Sequence, residues 1–262
     1  MSGLPEIPEE TTKRRKINVL LLIILLDAII ILAVLFFLWP FTLSPNQSLT
    51  SVDWAGYVVA SDLNNPQSVV TSINASWTVP TISGSAARSF SAAWIGVGGQ
   101  FSYDETLIQA GTEHDYINGQ ATYSAWFELL PQSAVTIESL SVSAGDNITA
   151  QISLLNPAAD TWFININDLT KDQSFQQSFT YSSSMLSAEW IVERPQINGR
   201  VRNLANFGEL TFTGCTATIA GKVGSISSFP SVEVTMYQSA PLVTVSPLMS
   251  GGTSFTLDYV GS

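Results

Sequence analysis

The sequence predicts an all-β domain over residues 51–262 that follows one N-terminal transmembrane helix. The helix prediction rests on the run from Val19 to Trp39, which has 21 residues and one charge, Asp27. A helix of that length spans about 30 Å, the thickness of a bilayer core. The all-β prediction rests on segments with period-two alternation after residue 40, with Gly, Pro, Asn and Asp turn signals between them. No long window after residue 40 shows helical periodicity.

The N-terminal region divides into a tail (1–17), an anchor (18–39) and a polar stalk (40–50). Four basic residues at 13–16 precede the apolar run. They predict a cytoplasmic N-terminus and a domain outside the cell membrane. The run ends in bulky aromatic residues and Pro40, without the small residues of a signal-peptide cleavage site, which favours an uncleaved anchor. Asp27 is either a functional group within the membrane or, with no function of its own, a tolerated, protonated carboxyl or a contact to another membrane helix.

The strand segments share a high content of β-branched and aromatic residues. They cover 68–79, 120–129, 134–142, 148–154, 161–167, 209–217, 231–238 and 254–260. No internal repeat and no second linker interrupt them, so we expect one domain. Many short strands at regular spacing indicate a sandwich or a barrel.

Composition excludes several classes of function. After Pro40 there are 17 acidic and 6 basic residues, which makes the surface a poor nucleic-acid binder. His114 is the only histidine and Cys215 the only cysteine, so a multi-histidine zinc site and an intrachain disulfide are both ruled out. No G-x-S-x-G elbow or phosphate-binding glycine loop is present. We expect no metal or cofactor, and the remaining hydrolytic chemistry uses carboxylates assisted by amides.

Three segments combine aromatic residues with carboxyl and amide groups. They are residues 93–99 (AWIGVGG), followed closely by 107–111 (LIQAG); residues 123–128 (YSAWFE); and residues 188–195 (AEWIVERP). In a strand, Trp126 and Glu128 share one face, and so do Glu189 and Glu193. A single strand carboxylate is usually a solvated surface residue. The combination of all three segments is what indicates a site.

With Asp53-Trp54-Ala55-Gly56 before them and the Phe207-Gly208 to Phe212-Thr213 tail after them, these segments resemble the eqolisins, the glutamic peptidase family. The motifs occur in the family's order and approximate spacing, from residue 53 to the end of the chain. The resemblance implies a lectin-like β-sandwich of two bent antiparallel sheets with a cleft on a concave face. It also implies an endopeptidase that acts on proteins or peptides.

The resemblance assigns a role to each motif residue. Gln109 and Glu193 would be the catalytic pair, and Glu189 and Glu113 would support it. The residues lining the cleft would be Trp54, Trp94, Trp126 and Glu128. The chemistry is coherent, because a carboxyl group can move protons between water and the leaving amine. A neutral amide can stabilise an oxyanion even in acid, where a histidine base is protonated.

The chain departs from the family pattern in four respects. Gly98 stands where the family has an aspartate, which removes a hydrogen-bond acceptor near the site. Arg194 and Pro195 replace an acidic segment after the glutamate strand. The disulfides of fungal members are absent, and the N-terminal anchor is outside the best-known pattern.

Two other functions fit parts of the same pattern. Lectin-like sandwiches bind sugars, and the three tryptophans could stack on sugar rings. A glycosidase would use two carboxyl groups, for which Glu128 and Glu193 are candidates. A passive cell-surface protein with a degenerate site is the third alternative. Gln109 with Glu193 favours the peptidase, because a lectin needs no such pair.

Overall fold

A computed structural model describes residues 48–84, 86–197 and 199–261. The predicted tail and anchor, Asp27 and most of the stalk lie outside the described residues. Within the described residues, no helix is long and apolar enough to cross a membrane. Residues 48–50, which the sequence prediction places in the stalk, belong to the first strand of the folded domain.

The described part of the chain consists of strands with three short 3-10 turns. The strands are β1 (Ser48–Ser51), β2 (Trp54–Ala60), β3 (Val70–Thr78), β4 (Arg88–Val97), β5 (Ile108–Ile117), β6 (Gln120–Leu129), β7 (Val135–Thr136), β8 (Asn147–Asn156), β9 (Thr161–Asp168), β10 (Gln173–Thr180), β11 (Ser187–Glu193), β12 (Gln196–Ile197), β13 (Arg200–Val201), β14 (Glu209–Ile219), β15 (Lys222–Ser225), β16 (Ser231–Met236), β17 (Val243–Val245) and β18 (Phe255–Tyr259). The 3-10 turns are Pro157–Ala159, Ile226–Ser228 and Ser250–Gly252.

The strands form two large sheets and one two-stranded sheet, β12-β13. The first sheet has the order β1-β16-β2-β11-β4-β5-β6-β7, and the second has the order β10-β9-β8-β3-β14-β18-β17, with β15 paired to β14. All neighbours in both sheets are antiparallel except β1 and β16, which run parallel. The prediction of an all-β fold is confirmed. The prediction of purely antiparallel sheets is wrong at this one edge, where the chain enters the domain.

One hydrophobic core joins the two sheets. Trp190 and Val192 of the first sheet pack in the same cluster as Ile73 and Phe212 of the second. Two indole groups donate across the interface: Trp190 to the Asn74 carbonyl at 2.9 Å and Trp77 to the Thr112 hydroxyl at 3.0 Å. The alternation in β11 therefore directs Ala188, Trp190 and Val192 into the core and leaves Glu189, Ile191 and Glu193 on the opposite face of the first sheet.

The strand predictions differ in how well they match the structure. The prediction for 120–129 matches β6 at both ends, and the others overlap their strands within a few residues. The prediction for 134–142 is wrong over most of its length, because only Val135–Thr136 form a strand. Ile137, Leu140 and Val142 are buried there as anchors of a loop, so their apolar character is not a sign of strand pairing.

We expect replacement of Cys215 by alanine to leave peptidase activity unchanged. The thiol is buried in the core between the sheets, and burial raises its pKa, so it is not a reactive thiolate. Loss of a small buried group should lower the free energy of unfolding by about 1 kcal/mol. Chemical denaturation and an activity assay of Cys215→Ala check both statements. A folded but inactive variant would contradict this role.

Candidate active site

A cleft with a volume of about 820 Å³ opens on the face of the first sheet opposite the core. Among the described residues, four carboxyl groups line it, from Asp53, Glu113, Glu128 and Glu193, and no Lys or Arg side chain does. Trp54 and Trp126 add aromatic surface. The cleft therefore combines apolar walls with several neighbouring carboxyl groups. Burial and nearby like charges both raise the pKa of a carboxyl group, so large shifts are expected here.

Strand register places the site residues in rows across this face. In the first row, Trp54 of β2 is opposite Glu193 of β11, and Glu193 is opposite Ala92 of β4. Ala92 is in turn opposite Glu113 of β5. Because directly opposed residues point to the same face of a sheet, Trp54, Glu193 and Glu113 all face the cleft.

The row that contains Gln109 lies four residues away along the strands. Glu189 of β11 is opposite Gly96 of β4, Gly96 is opposite Gln109 of β5, and Gln109 is opposite Glu128 of β6. Gly96 has no side chain, and a Cβ there would meet Leu107 Cδ1 at 2.8 Å. The glycine is therefore required for the close packing of the side chains around Gln109.

The Gln109 side chain is buried and is oriented by Glu128. Its Nε2 donates to Glu128 Oε2 at 2.6 Å, while its Oε1 has no hydrogen-bond partner among the described residues. Burial raises the pKa of Glu128, and the hydrogen bonds from Gln109 and the Ala134 amide oppose that rise. Among the described residues, the amide thus has one N–H and one carbonyl oxygen to which no hydrogen bond is assigned.

Glu193 is oriented by a tryptophan pair. Trp94 is fully buried beneath the cleft, and its Nε1 donates to Glu193 Oε2 at 2.8 Å. Trp54 packs edge-on against Trp94, with ring centroids 4.9 Å apart. Burial is the main reason that the pKa of Glu193 is raised to about 8; nearby Asp53 and Glu128 also raise it, and the indole groups of Trp94 and Trp54 oppose the rise. Glu193 is therefore neutral in acid.

The structure brings Gln109 and Glu193 to one cleft but gives them different hydrogen-bond partners. Gln109 bonds to Glu128 and Glu193 bonds to Trp94. Glu128 interacts with both residues: it accepts the hydrogen bond from Gln109, and its charge makes a small contribution to the raised pKa of Glu193, after burial as the main cause. That the two side chains approach within a few ångströms stays a prediction.

The two glutamates that are predicted to support the pair have different environments. Glu113 lines the cleft, and burial, followed by the adjacent Asp115, raises its pKa to about 7. Glu189 is fully buried below the cleft surface, where burial raises its pKa well above the ordinary value despite the Ser187 hydroxyl. Both carboxyl groups are thus protonated in acid, and Glu189 stays protonated over a wider range of pH.

The single histidine and the arginine after Glu193 both serve the framework. His114 is buried on the core side of β5, where its ring contacts the hydroxyls of Thr112 and Ser91, and burial lowers its pKa to about 3. Arg194 donates from Nε to the Val52 carbonyl at 2.7 Å and from a terminal nitrogen to Gln238. The replacement of an acidic residue by Arg194 therefore ties the end of β11 to the turn before β2.

Sequence reasoning overlooked two carboxyl groups near the site. Asp53 was read only as part of a motif, yet its charge helps to raise the pKa of Glu193. Asp104 lies in the β4–β5 loop and contacts groups from a distant loop. No local pattern singles out either residue, since both act through contacts that the fold creates. In the described part of the chain, no three His, Cys, Asp or Glu residues form a metal-binding group.

The fold and the cleft define a β-sheet hydrolase with carboxyl and amide groups at its site. A profile of the Peptidase A4 family matches residues 52–259, and the chain belongs to that family. It is a glutamic endopeptidase, as the eqolisin resemblance of its motifs predicted. Membership favours peptide hydrolysis over the sugar-binding and passive-surface alternatives.

Known proteins agree with this assignment. Aspergillopepsin-2 of Aspergillus niger is 25% identical over 233 residues, which cover 80% of this chain and 78% of the relative. The crystal structure of scytalido-glutamic peptidase with a transition state analog inhibitor has a TM-score of 0.67 and 23% identity, covering 80% of this chain and 99% of that one. SCP-B, an eqolisin in complex with the tripeptide Ala-Ile-His, has a TM-score of 0.63 and 22% identity, with the same coverage.

The raised carboxyl pKa values predict that the fold loses stability as pH rises. Glu113, Glu189 and Glu193 are protonated in the folded state at pH values where the unfolded chain, with pKa values near 4.5, has ionised. Above pH 4.5 the unfolded state therefore binds fewer protons, so the free energy of unfolding falls until the folded pKa values, up to about 8 for Glu193, are passed. The stabilisation is fully present below the unfolded pKa.

Urea unfolding of the full-length chain at a series of pH values measures this slope. Each proton difference contributes about 1.4 kcal/mol per pH unit. Glu189→Gln, whose amide does not titrate, should flatten the slope, whereas Glu105→Gln at an exposed loop position should not. A free energy of unfolding that increases from acid to neutral pH would contradict the prediction. The lowered pKa of Asp104 acts in the opposite direction, but only at lower pH.

Proposed function

We propose that this chain is a membrane-anchored acid endopeptidase, displayed outside the cytoplasm, that hydrolyses peptide bonds with Gln109 and Glu193. The observation that carries the proposal is that an amide with free hydrogen-bonding groups and a carboxyl with a strongly raised pKa line one cleft in a member of the Peptidase A4 family. The family supports peptide hydrolysis, and the side chains supply the assignment of roles.

Glu193 can carry out both proton transfers of the reaction. In acid its carboxyl is neutral, so one oxygen can give a proton to the scissile carbonyl while the other accepts a proton from the attacking water. The resulting gem-diol then collapses: the acid protonates the amine nitrogen and recovers a proton from a hydroxyl. The carboxyl group is regenerated, and no metal or second proton donor is required.

Gln109 is suited to hold the reacting atoms. Its free N–H can bond to the carbonyl oxygen as that oxygen gains charge, and its buried, unpartnered Oε1 can accept from the attacking water. Glu128 keeps the amide in this orientation by accepting from the other N–H. Because an amide does not titrate, the group works at any acidic pH.

The cleft is suited to an extended peptide. The Trp126 indole N–H is buried without a hydrogen-bond partner among the described residues, as is Gln109 Oε1. Buried polar groups of this kind are normally satisfied by a partner or a water molecule. A peptide backbone, with alternating donors and acceptors, can satisfy both groups while its side chains contact Trp54 and Leu107.

Cleavage of an unfolded protein by the purified full-length chain tests this function. We expect cleavage at acidic pH, with the rate falling as the pH rises through about 8, where Glu193 loses its proton. Mass spectrometry of the products should show internal cuts, which distinguish an endopeptidase from an exopeptidase. Absence of cleavage at every acidic pH, with circular dichroism showing a folded β protein, would overturn the proposal.

The location outside the cytoplasm rests on the basic residues at 13–16 and the apolar run that follows. We expect a tag at the C-terminus to be digested by protease added to intact cells, and a tag at the N-terminus to be protected. The N-terminal tag should become accessible once detergent dissolves the membrane. Protection of the C-terminal tag with digestion of the N-terminal tag would reverse the topology.

A further inference from the structure

Position 98, where the family pattern has an aspartate, has no room for a side chain in this fold. Gly98 has a φ of +87°, in the region that favours glycine. A Cβ there would lie 2.7 Å from the Thr106 carbonyl oxygen, 2.9 Å from Ser184 Oγ and 3.3 Å from Asp104 Oδ2. The space beside Gly98 is therefore already filled, and one of the groups that fills it is a carboxylate.

That carboxylate belongs to Asp104, in the loop between β4 and β5, and it accepts four hydrogen bonds. Oδ2 accepts from the Gly99 amide at 2.8 Å and from Ser184 Oγ at 2.5 Å. Oδ1 accepts from the amide and the hydroxyl of Thr106, at 3.0 and 2.8 Å. These bonds lower the pKa of Asp104 against the effect of burial, so the group stays ionised in moderate acid.

The bond to Ser184 connects two strands that are not neighbours in the sheet. Ser184 lies three residues before β11, whose glutamates face the cleft side, and Thr106 lies three residues before Gln109. A second bond, from the Ser184 amide to Thr106 Oγ1 at 2.8 Å, joins the same two loops. β4 separates β11 from β5, so this cluster crosses over the end of β4.

A tyrosine next to the cluster extends it toward β6. The Tyr181 hydroxyl accepts from the Leu107 amide at 2.8 Å and donates to the Leu130 carbonyl at 2.9 Å. Burial is the main cause of the raised pKa values of Tyr181 and Glu189, and the Asp104 charge adds to both. The starts of β5 and β11 and the end of β6 are therefore held by one polar cluster with Asp104 at its centre.

We propose that Asp104 is a positioning residue of the peptidase site, whose carboxylate helps to fill the space beside Gly98 and fixes the start of β5, with Gln109, against the start of β11. The inference rests on the proposed function of Gln109 and Glu193. Asp104 acts through these strands and does not touch the substrate.

The test compares Asp104→Asn with Glu105→Gln in the full-length chain. The asparagine keeps the shape of the side chain but has only one acceptor oxygen, so its NH₂ group faces either the Gly99 amide or the Thr106 amide, each of which needs an acceptor. Glu105 is the next residue and is exposed, so its variant removes the same charge from the same loop without touching the cluster. We expect kcat of Asp104→Asn to fall by about 10- to 100-fold, with KM changed by less than about threefold, because misplaced groups mainly affect the transition state.

A second variant tests the connection between the loops. Ser184→Ala removes the side-chain bond to Asp104 and leaves the backbone bond from the Ser184 amide to Thr106, so it should also lower kcat, by no more than Asp104→Asn does. Because both variants break one connection, the double variant should be little worse than Asp104→Asn alone. If the fall in kcat of the double variant equalled the product of the falls in the two single variants, the role of the connection would be overturned. An unchanged kcat in Asp104→Asn would overturn the proposal itself.

Hydrogen exchange separates this inference from the proposed function. In Asp104→Asn, the amides of Gly99 and Thr106 and the first residues of β5 should exchange faster, while Glu105→Gln should match the wild type. This readout does not depend on catalysis. If the wild-type protein were inactive but Asp104→Asn showed these exchange changes, the proposed function would be rejected and the role of Asp104 in the cluster would stand. If the wild-type protein were active but exchange in Asp104→Asn were unchanged, the proposed function would stand and the role of Asp104 would be rejected.

Discussion

Replacement of Glu193 by glutamine should reduce peptide hydrolysis by about 10³–10⁴, to near background, while the fold is retained. The amide oxygen of the new side chain can still accept the bond from Trp94 Nε1, so the geometry of the cleft is preserved. What disappears is the group that exchanges protons with water and the leaving amine. The measurement is kcat on an unfolded protein substrate in acid, with circular dichroism and thermal unfolding as tests of the fold.

Glu189→Gln is the matched control, because Glu189 lies on the same strand and the same face, four residues before Glu193. Its carboxyl is buried away from the cleft and is already neutral in acid, so an amide of the same shape should retain most of the activity. Wild-type cleavage by a folded Glu193→Gln variant would refute the peptidase mechanism. If only Glu189→Gln were inactive, the reaction class would stand and the choice of glutamate would be wrong.

Replacement of Gln109 by alanine should lower kcat by about 10²–10³, the usual effect of removing one oxyanion-stabilising donor. The change also leaves Glu128 without the hydrogen bond from Nε2, so the pKa of Glu128 should rise further. KM should change much less than kcat, because the lost bond forms mainly in the transition state. Steady-state kinetics in acid separate the two parameters.

Gln100→Ala provides the comparison for Gln109→Ala. Gln100 also lines the cleft with an amide side chain, but it lies in the β4–β5 loop and has no assigned role in the reaction. We expect its variant to keep a kcat close to that of the wild type. Equal losses in the two variants would show that any amide in the cleft matters to the same degree, and the special role of Gln109 would have to be given up.

The raised pKa values of the cleft and the falling stability toward neutral pH have one physical origin. Apolar walls of tryptophan, leucine and valine desolvate the carboxyl groups, and desolvation favours their neutral forms. The condition that keeps Glu193 protonated for catalysis also makes ionisation of Glu189 unfavourable in the folded state. Acid conditions are therefore expected to favour activity and stability together.

Local patterns in the sequence identified the elements that carry the site. Alternation alone predicted that Glu189 and Glu193 share a face, and that Trp126 and Glu128 share a face, because the side-chain period of a strand is two. The same rule predicted the bounds of β6. It failed at 134–142, where spaced apolar residues anchor a loop, because burial without strand pairing produces the same pattern.

The order of strands in the first sheet was decided by the tertiary structure. Nothing local in the sequence shows that β11 inserts between β2 and β4, because that pairing joins segments far apart in the chain. This order sets which carboxyl groups meet: Glu128 bonds to Gln109, Trp94 bonds to Glu193, and Asp104 reaches Ser184. The sequence by itself determined the class of fold, the types of chemical group and the faces they occupy. The partners and pKa values of those groups came only from the tertiary structure, because both depend on desolvation and on distances between strands.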